Sequence, residues 1–386
     1  MEKQYQIDFE KGIAHVGDLE RLQRVMERAQ KGEALRIGFI GGSITQGSLS
    51  TAPELCYAYR VYQWWCETFP TAEFTYINAG IGGTTSQFGV ARADSDLLSQ
   101  KPDFVIIEFS VNDESTEHFM ETYEGLVRKV YGADWKPAVV LVHNVYYHNG
   151  ANAQLVHGRV GRHYNLPSIS MQSTIYPEVV AGRIENRDIT PDDLHPNDTG
   201  HGLVAEVITY FLEQVREQEI FEDGSVHKEA SAPENEGNKE YLPAPLTQNT
   251  YEHSIRYRNI NSSPVLQGFV ADDTPQRDIT DCFKYGWTAS KVGDAITFSV
   301  EGSNIGLQYR KSVKGPAPVA EVIVDGDREH AQRMDANFDE TWGDKLELDT
   351  ILEHGENKRH QVEIRLVEAV ENLAAPFYLV SVIESR

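Results

Sequence analysis

Cysteine is scarce in this chain: Cys56, Cys66 and Cys282 are the whole complement, an odd number without Cys-x-x-Cys spacing. That excludes a disulfide framework and a cysteine-built zinc site, and it reads as reduced, structural thiols. Long apolar runs are missing too. None approaches the roughly 20 residues of a membrane-spanning helix, so no membrane partner is expected. The opening stretch MEKQYQIDFEKG lacks the apolar core of a secretory signal, which leads us to expect a cytoplasmic protein. Basic residues are outnumbered, 35 Lys and Arg against 59 Asp and Glu, for a formal charge of −24. Such a surface repels phosphate backbones and anionic lipid, which argues against nucleic acid and acidic polymers and favours a neutral ligand. No internal repeat of fixed period is present.

What the chain does have is enough material for two cores: 386 residues, 40% of them hydrophobic and 24% charged. Asp18 precedes apolar residues at helical spacing (Leu19, Leu22, Val25, Met26, Ala29), and this helix ends near Gly32. Five apolar segments then alternate with helical stretches: Leu35 to Ile40, Phe74 to Ala79, Phe104 to Ile107, Val139 to Val142 and Leu166 to Met171. That alternation predicts an α/β fold with a doubly wound, flavodoxin-like, five-stranded parallel sheet and right-handed crossovers. The aromatic segment holding Tyr57, Tyr59, Tyr62, Trp64 and Trp65 fits a packed helix face, and a final helix runs from Thr199 to about Gln218. Residues 221–246 are charged, proline-bearing and poor in apolar side chains, the composition of a linker. Beyond it the pattern alternates in twos, as in 295–300, 305–309, 320–324 and 361–366, which predicts an all-β sandwich. The expected organisation is therefore 1–220 as the α/β domain, 221–246 as linker and 247–386 as the β-domain.

The stretch Leu35 to Thr45, LRIGFIGGSIT, delivers a serine from a buried strand to a tight turn. Ser43 thus sits at the carboxyl end of a strand, where ligands bind in open α/β sheets, although Gly-Gly-Ser alone also fits a plain turn or helix cap. A serine hydroxyl needs a histidine base, and the histidine needs a carboxylate to hold its tautomer. Asp192-Asp193-Leu194-His195 supplies both if the segment is a tight loop, with Asp192 the better placed of the two carboxylates. Attack on a carbonyl also builds an oxyanion, for which the backbone N–H of Ser43, the backbone N–H of Gly83 and the side-chain amide of Asn112 are candidate donors from neighbouring strand ends. Each feature has a plainer reading: a glycine turn at 82–83, an Asx turn at Asn112-Asp113, a helix-capping His195 before Pro196. A dinucleotide loop at Gly80-Ile81-Gly82 lacks its third glycine, since position 85 is threonine. No metal and no cofactor are expected: His143, His148, His157 and His163 lack an HExxH pair or cysteine partners and read as surface or loop histidines.

Taken together, Gly41-Gly42-Ser43-Ile44, Gly83 within IGGTTS, Asn112 in SVND and Asp192 to His195 in DDLH resemble the four blocks of the SGNH, or GDSL-like, hydrolases over about residues 30 to 218. Two positions depart from that pattern, Gly42 for the usual Asp and Ser110 for the usual Gly. The added β-domain is similar to the two-domain architecture, SGNH plus jelly-roll module, of the carbohydrate esterases of family seventeen. The resemblance implies a serine esterase that removes O-acetyl groups from oligosaccharides, most of all manno-oligosaccharides. Ser43, Asp192 and His195 would be catalytic, with Ser43, Gly83 and Asn112 as the oxyanion hole. The alternatives are a lipase or thioesterase on the same scaffold, a xylan-directed acetylesterase, or a sugar-binding protein with a silent site. An acetyl group fills little of a cleft, so selectivity must come from the sugar. The segment Asn337 to Gly343 combines Trp342 and Asp339 in an unalternating loop, and we expect it to supply a sugar subsite. Its plainer reading is an interstrand loop whose Trp342 caps the sandwich core. A homo-oligomer is compatible with the sequence.

Overall fold

The computed structural model describes residues 5–218 and 242–386. Two compact units emerge, one taking in Met1–Gly89 and Ala93–Gln248, the other built on Asn249–Arg386. The first carries strands β1 (Ile13–His15), β2 (Ala34–Gly41), β3 (Glu73–Gly80), β4 (Phe104–Glu108), β5 (Ala138–His143) and β6 (Ser168–Ser170). Its helices are α1 (Glu20–Gln30), α2 (Ser43–Gln46), α3 (Tyr57–Thr68), α4 (Ser86–Asp96), α5 (Glu117–Tyr131), α6 (Gln154–His163), α7 (Ile175–Val180), α8 (Asn186–Ile189) and α9 (Asp198–Glu217). The sheet order is β1-β6-β5-β4-β2-β3. Strands β2 to β6 pair in parallel, as their apolar runs predict, while β1 adds an antiparallel edge beside β6. At three residues β1 is too short to show alternation.

The interior strands are apolar because helices cover both faces. Every residue of β4 and β5 is buried, and so is β2 from Ile37 onward. On one face, Leu22, Val25 and Ala29 of α1, Val61 and Trp65 of α3, and Val204, Ile208 and Phe211 of α9 pack against Ile37, Phe39, Ile106 and Val140. Trp65, fully buried, lies 5.3 Å from the Phe104 ring, so the aromatic segment of α3 is core. The strand register aligns the ends of this sheet: Gly41 stands beside Gly80 of β3 and beside Glu108 of β4, so the loops after all three strands leave at one level.

Two expectations are corrected here. His143 and His157 are not surface or loop residues: His143 ends β5, His157 lies within α6, and both are fully buried. The helical period around 157 is short and broken by glycines, which hid its inward face. The expected linker stretch 221–246 falls mostly outside the described residues, but its end from 242 onward packs on the first unit. Arg128 donates to the Pro243 carbonyl at 2.8 Å, and the buried Glu124 accepts the N–H groups of Leu246 and Thr247 at 2.5 and 2.8 Å. The boundary thus sits at 248/249 and not at 246/247.

The second unit contains β7 (Ile255–Tyr257), β8 (Val265–Gln267), β9 (Val270–Ala271), β10 (Trp287–Ala289), β11 (Ala295–Gly302), β12 (Asn304–Lys311), β13 (Val319–Val324), β14 (Gln332–Asp335), β15 (Lys345–Leu352), β16 (Lys358–Glu368) and β17 (Phe377–Ser385). They form two antiparallel sheets, β15-β12-β17-β10-β9 with β7 on β17, and β14-β13-β16-β11-β8. Inward residues of both, among them Ile296, Phe298 and Ile364 from one and Trp287, Leu307 and Leu379 from the other, share a single core.

Candidate active site

Ser43 is the first residue of α2, immediately past the end of β2, and is almost fully buried. His195 reaches it from the turn before α9. That turn is anchored at both ends: Asn197 caps α9 by accepting the N–H groups of Thr199 and Gly200 at 3.0 Å, and its own N–H donates to the Ile189 carbonyl at 2.9 Å. Asp198 accepts from the Thr51 backbone and hydroxyl at 2.8 and 2.6 Å, which ties the segment after Ser43 to the start of α9.

Within this frame His195 Nε2 lies 2.8 Å from Ser43 Oγ, and its Nδ1 lies 2.6 Å from Asp192 Oδ2. With Nδ1–H donated to the carboxylate, the Nε2 lone pair is left to accept the serine proton. The other carboxylate oxygen of Asp192 accepts the backbone N–H of His195 at 2.7 Å, that of Leu194 at 3.1 Å, and the Thr190 hydroxyl at 3.2 Å. Burial pushes this carboxyl's pKa up, but the hydrogen bonds from the His195 ring and the two backbone N–H groups outweigh it and hold Asp192 below the ordinary carboxylate value. It therefore stays charged across neutral pH.

The Asp-x-x-His spacing works because the intervening residue turns the chain. Asp193 has φ +70°, a left-handed conformation unusual for a residue with a side chain. Its carboxylate is clamped by Arg187 at 2.7 and 3.0 Å and by Asn186, and its carbonyl accepts the N–H of Tyr147 at 2.8 Å. The two adjacent carboxylates thus divide the work, Asp192 on the imidazole and Asp193 on the turn. Sequence spacing alone does not reveal Arg187 and Asn186 as the residues that hold it.

For the oxyanion, Gly83 follows β3 with φ +68°, a conformation that aims its N–H where an ordinary residue would be strained. Asn112 follows β4. Among the described residues, the N–H groups of Ser43 and Gly83 and the Asn112 amide have no internal acceptor. These donors stand at the ends of β2, β3 and β4, which the register sets side by side. Gly42 explains the first departure from the family pattern: a Cβ there would lie 2.2 Å from Asn112 Oδ1, so its absence makes room for the amide beside Ser43. The second departure, Ser110, is fully buried and donates to the Asn144 carbonyl at 3.0 Å and to Glu108 at 3.3 Å.

Beside Gly41 and within reach of Thr45 on α2 lies a group that sequence reasoning missed. Glu108, fully buried at the end of β4, accepts from Thr45 and Ser110, and burial pushes its pKa up to about 7. As one carboxyl in an apolar strand, it gave no signal beyond being a charge where the period called for none. Trp342 and Asp339 belong to the second unit and are exposed there. Trp342, 64% exposed, meets Phe338 edge to face at 5.2 Å, so it does not cap the sandwich core. Asn337 anchors the same loop through the N–H and carbonyl of Ala317, at 2.9 and 3.0 Å. No three His, Cys, Asp or Glu side chains are grouped to hold a metal among the described residues.

Comparison with known proteins gives the arrangement its context. Residues 39–203, which include Ser43, Gly83, Asn112, Asp192 and His195, match the GDSL-like lipase/acylhydrolase family. A crystal structure of a two-domain esterase (CEX) active on acetylated mannans, co-crystallized with mannopentaose, is 72% identical, covers 99% of this chain and 98% of its own, and superposes with a TM-score of 0.92. A second crystal structure of a two-domain esterase (CEX) active on acetylated mannans is 72% identical at a TM-score of 0.91, covering 98% of this chain and 99% of that one. No curated protein sequence matches. With the family match enclosing every strand-end residue of the site and a relative this similar running nearly end to end, the chain belongs to the GDSL-like lipase/acylhydrolase family.

Proposed function

We propose that this protein is a serine esterase that removes O-acetyl groups from manno-oligosaccharides. What carries the reading is the hydrogen-bonded run Ser43–His195–Asp192 in a chain 72% identical, over nearly its whole length, to esterases active on acetylated mannans. In the first half-reaction Ser43 Oγ attacks the acetyl carbonyl carbon and its proton passes to His195 Nε2. The oxygen that gains the charge is met by the N–H groups of Ser43 and Gly83 and by the Asn112 amide. As the tetrahedral species collapses, the bond to the sugar oxygen breaks, His195 protonates that oxygen, and the deacetylated sugar leaves. A water then gives its proton to His195 and attacks the acetyl-serine carbonyl; as this second tetrahedral species collapses, the bond to Ser43 Oγ breaks, His195 returns the proton to Oγ, and acetate departs. Asp192 stays ionised and supports the imidazolium formed in each half.

Comparing acetyl with octanoyl esters, and acetylated manno- with xylo-oligosaccharides by mass spectrometry, tests the substrate. We expect a strong preference for acetyl and for mannose. Faster turnover of octanoyl esters would favour a lipase or thioesterase, and faster loss of acetyl from xylose a xylan-directed enzyme.

A further inference from the structure

One oxygen can meet both Gly83 and Asn112 only if the two loops that carry them keep a fixed spacing, and the Asp113 side chain ties the one to the start of the helix that follows the other. Asp113 follows Asn112 directly. One of its carboxylate oxygens accepts the N–H of Ser86, the first residue of α4 and three beyond Gly83, at 2.9 Å. Its other oxygen lies 3.0 Å from Nε2 of His157 on α6, and both side chains are fully shielded from solvent. The imidazole is held flat against Tyr123 of α5, ring centroids 3.6 Å apart and planes within 5°. Its Nδ1 is buried without a partner among the described residues, so Asp113 is the ring's hydrogen-bonding contact there. Thr122, next to Tyr123, bonds the Ser86 hydroxyl at 2.7 Å and closes the loop of contacts. Neither Asp113 nor His157 faces Ser43 in the proton path, which Asp192 and His195 already occupy.

We propose that Asp113 and His157 are a positioning pair that sets the distance between the two oxyanion donors, an inference that rests on Gly83 and Asn112 being those donors. Small displacements are costly at such a site, because donors must meet the developing charge within about half an ångström of the productive geometry. A carboxylate suits the role: one oxygen satisfies an otherwise unpaired N–H in the first turn of α4, and the other is fixed by a ring that packing has immobilised.

The test is a double-mutant cycle on a small aryl acetate, with Asp113→Ala, Asp113→Asn and His157→Phe each made alone and together with Asn112→Ala. Asp113→Ala should lower kcat by about 10- to 100-fold with KM within about twofold, the mark of an interaction felt in the transition state. Asp113→Asn should recover most of that loss, since its amide oxygen still accepts from Ser86 and its NH₂ can donate to the other tautomer of His157. On the Asn112→Ala background the Asp113→Ala penalty should shrink to about threefold or less, because residues acting through one another are not additive. Should Asp113→Ala fail to fold, His157→Phe, which keeps the stack on Tyr123, carries the cycle with the same expectations. A full kcat in Asp113→Ala, or in His157→Phe where that carries the cycle, or a penalty of equal size with and without Asn112, overturns the positioning role alone. An undiminished kcat in Asn112→Ala by itself overturns the donor reading, and the pair with it.

Discussion

At the residue scale, the site depends on a few side chains whose neighbours leave them one thing to do. Asn112 is the clearest. Gly42 clears space for its amide, the register of β2 and β4 brings it beside Ser43, and no internal acceptor takes its protons among the described residues. Asn112→Ala should therefore cost roughly a hundredfold or more in kcat, the size seen when one oxyanion donor is removed, while thermal stability changes little. Unchanged turnover would take Asn112 out of the site. Ser43, Asn112 and the Asp-x-x-His group were legible because each follows a strand end or precedes the last helix, positions that periodicity locates. Arg187, Asn186 and Gly42's clearance of Asn112 were not, since they act through space on residues that sequence spacing does not link.

At the scale of elements, β4 joins stability to function. Its apolar run Phe104-Val105-Ile106-Ile107 is readable as a buried strand, but the residue that ends it, Glu108, keeps a carboxyl in the same dry environment. The folded state holds a proton on Glu108 until about pH 7, whereas the unfolded chain releases it near 4.5. The raised value means that the stability from this group is fully present below pH 4.5 and is lost as pH rises toward 7. The loss is on the order of 3 kcal/mol at full burial. Glu108→Gln removes the titration, so its stability relative to the parent should improve by about that much between pH 4.5 and pH 8, as read from denaturant unfolding at both values. A difference between the two proteins that does not move with pH would show that Glu108 is ionised in the fold. The strands β2 to β6 follow from apolar runs that alternate with helical stretches, and the long helices α3 and α9 from a period of 3.6, but β1 and the buried faces around His143 and His157 do not. Three residues cannot show a period, His143 is a polar residue closing an apolar strand, and His157, Gly158 and Gly161 make up much of the buried face of α6 without being hydrophobic.

At the scale of the whole molecule, the chain divides where its periodicity changes, yet the segment 242–248 sides with the α/β unit because Glu124 gathers its N–H groups. A change of composition marked the region but could not reveal that a buried carboxylate would claim part of it. The second unit presents an exposed Trp342 on a loop anchored by Asn337, a surface suited to the apolar face of a sugar ring. If that surface serves the oligosaccharide, Trp342→Ala should lower kcat/KM on acetylated manno-oligosaccharides several-fold and leave hydrolysis of a small aryl acetate untouched. Equal effects on both substrates would assign the residue to stability alone.

The proposed reaction has Ser43 take up the acetyl group, with the rest of the site serving that step. Acetate release from acetylated manno-oligosaccharides by the parent protein and by Ser43→Ala, each shown to be folded by circular dichroism, measures this directly. Efficient deacetylation by the parent and a loss of about 10⁴-fold or more in the variant is the predicted result, the scale on which serine hydrolases lose their nucleophile. A folded Ser43→Ala protein that still removes acetyl groups at a rate near the parent's would contradict it.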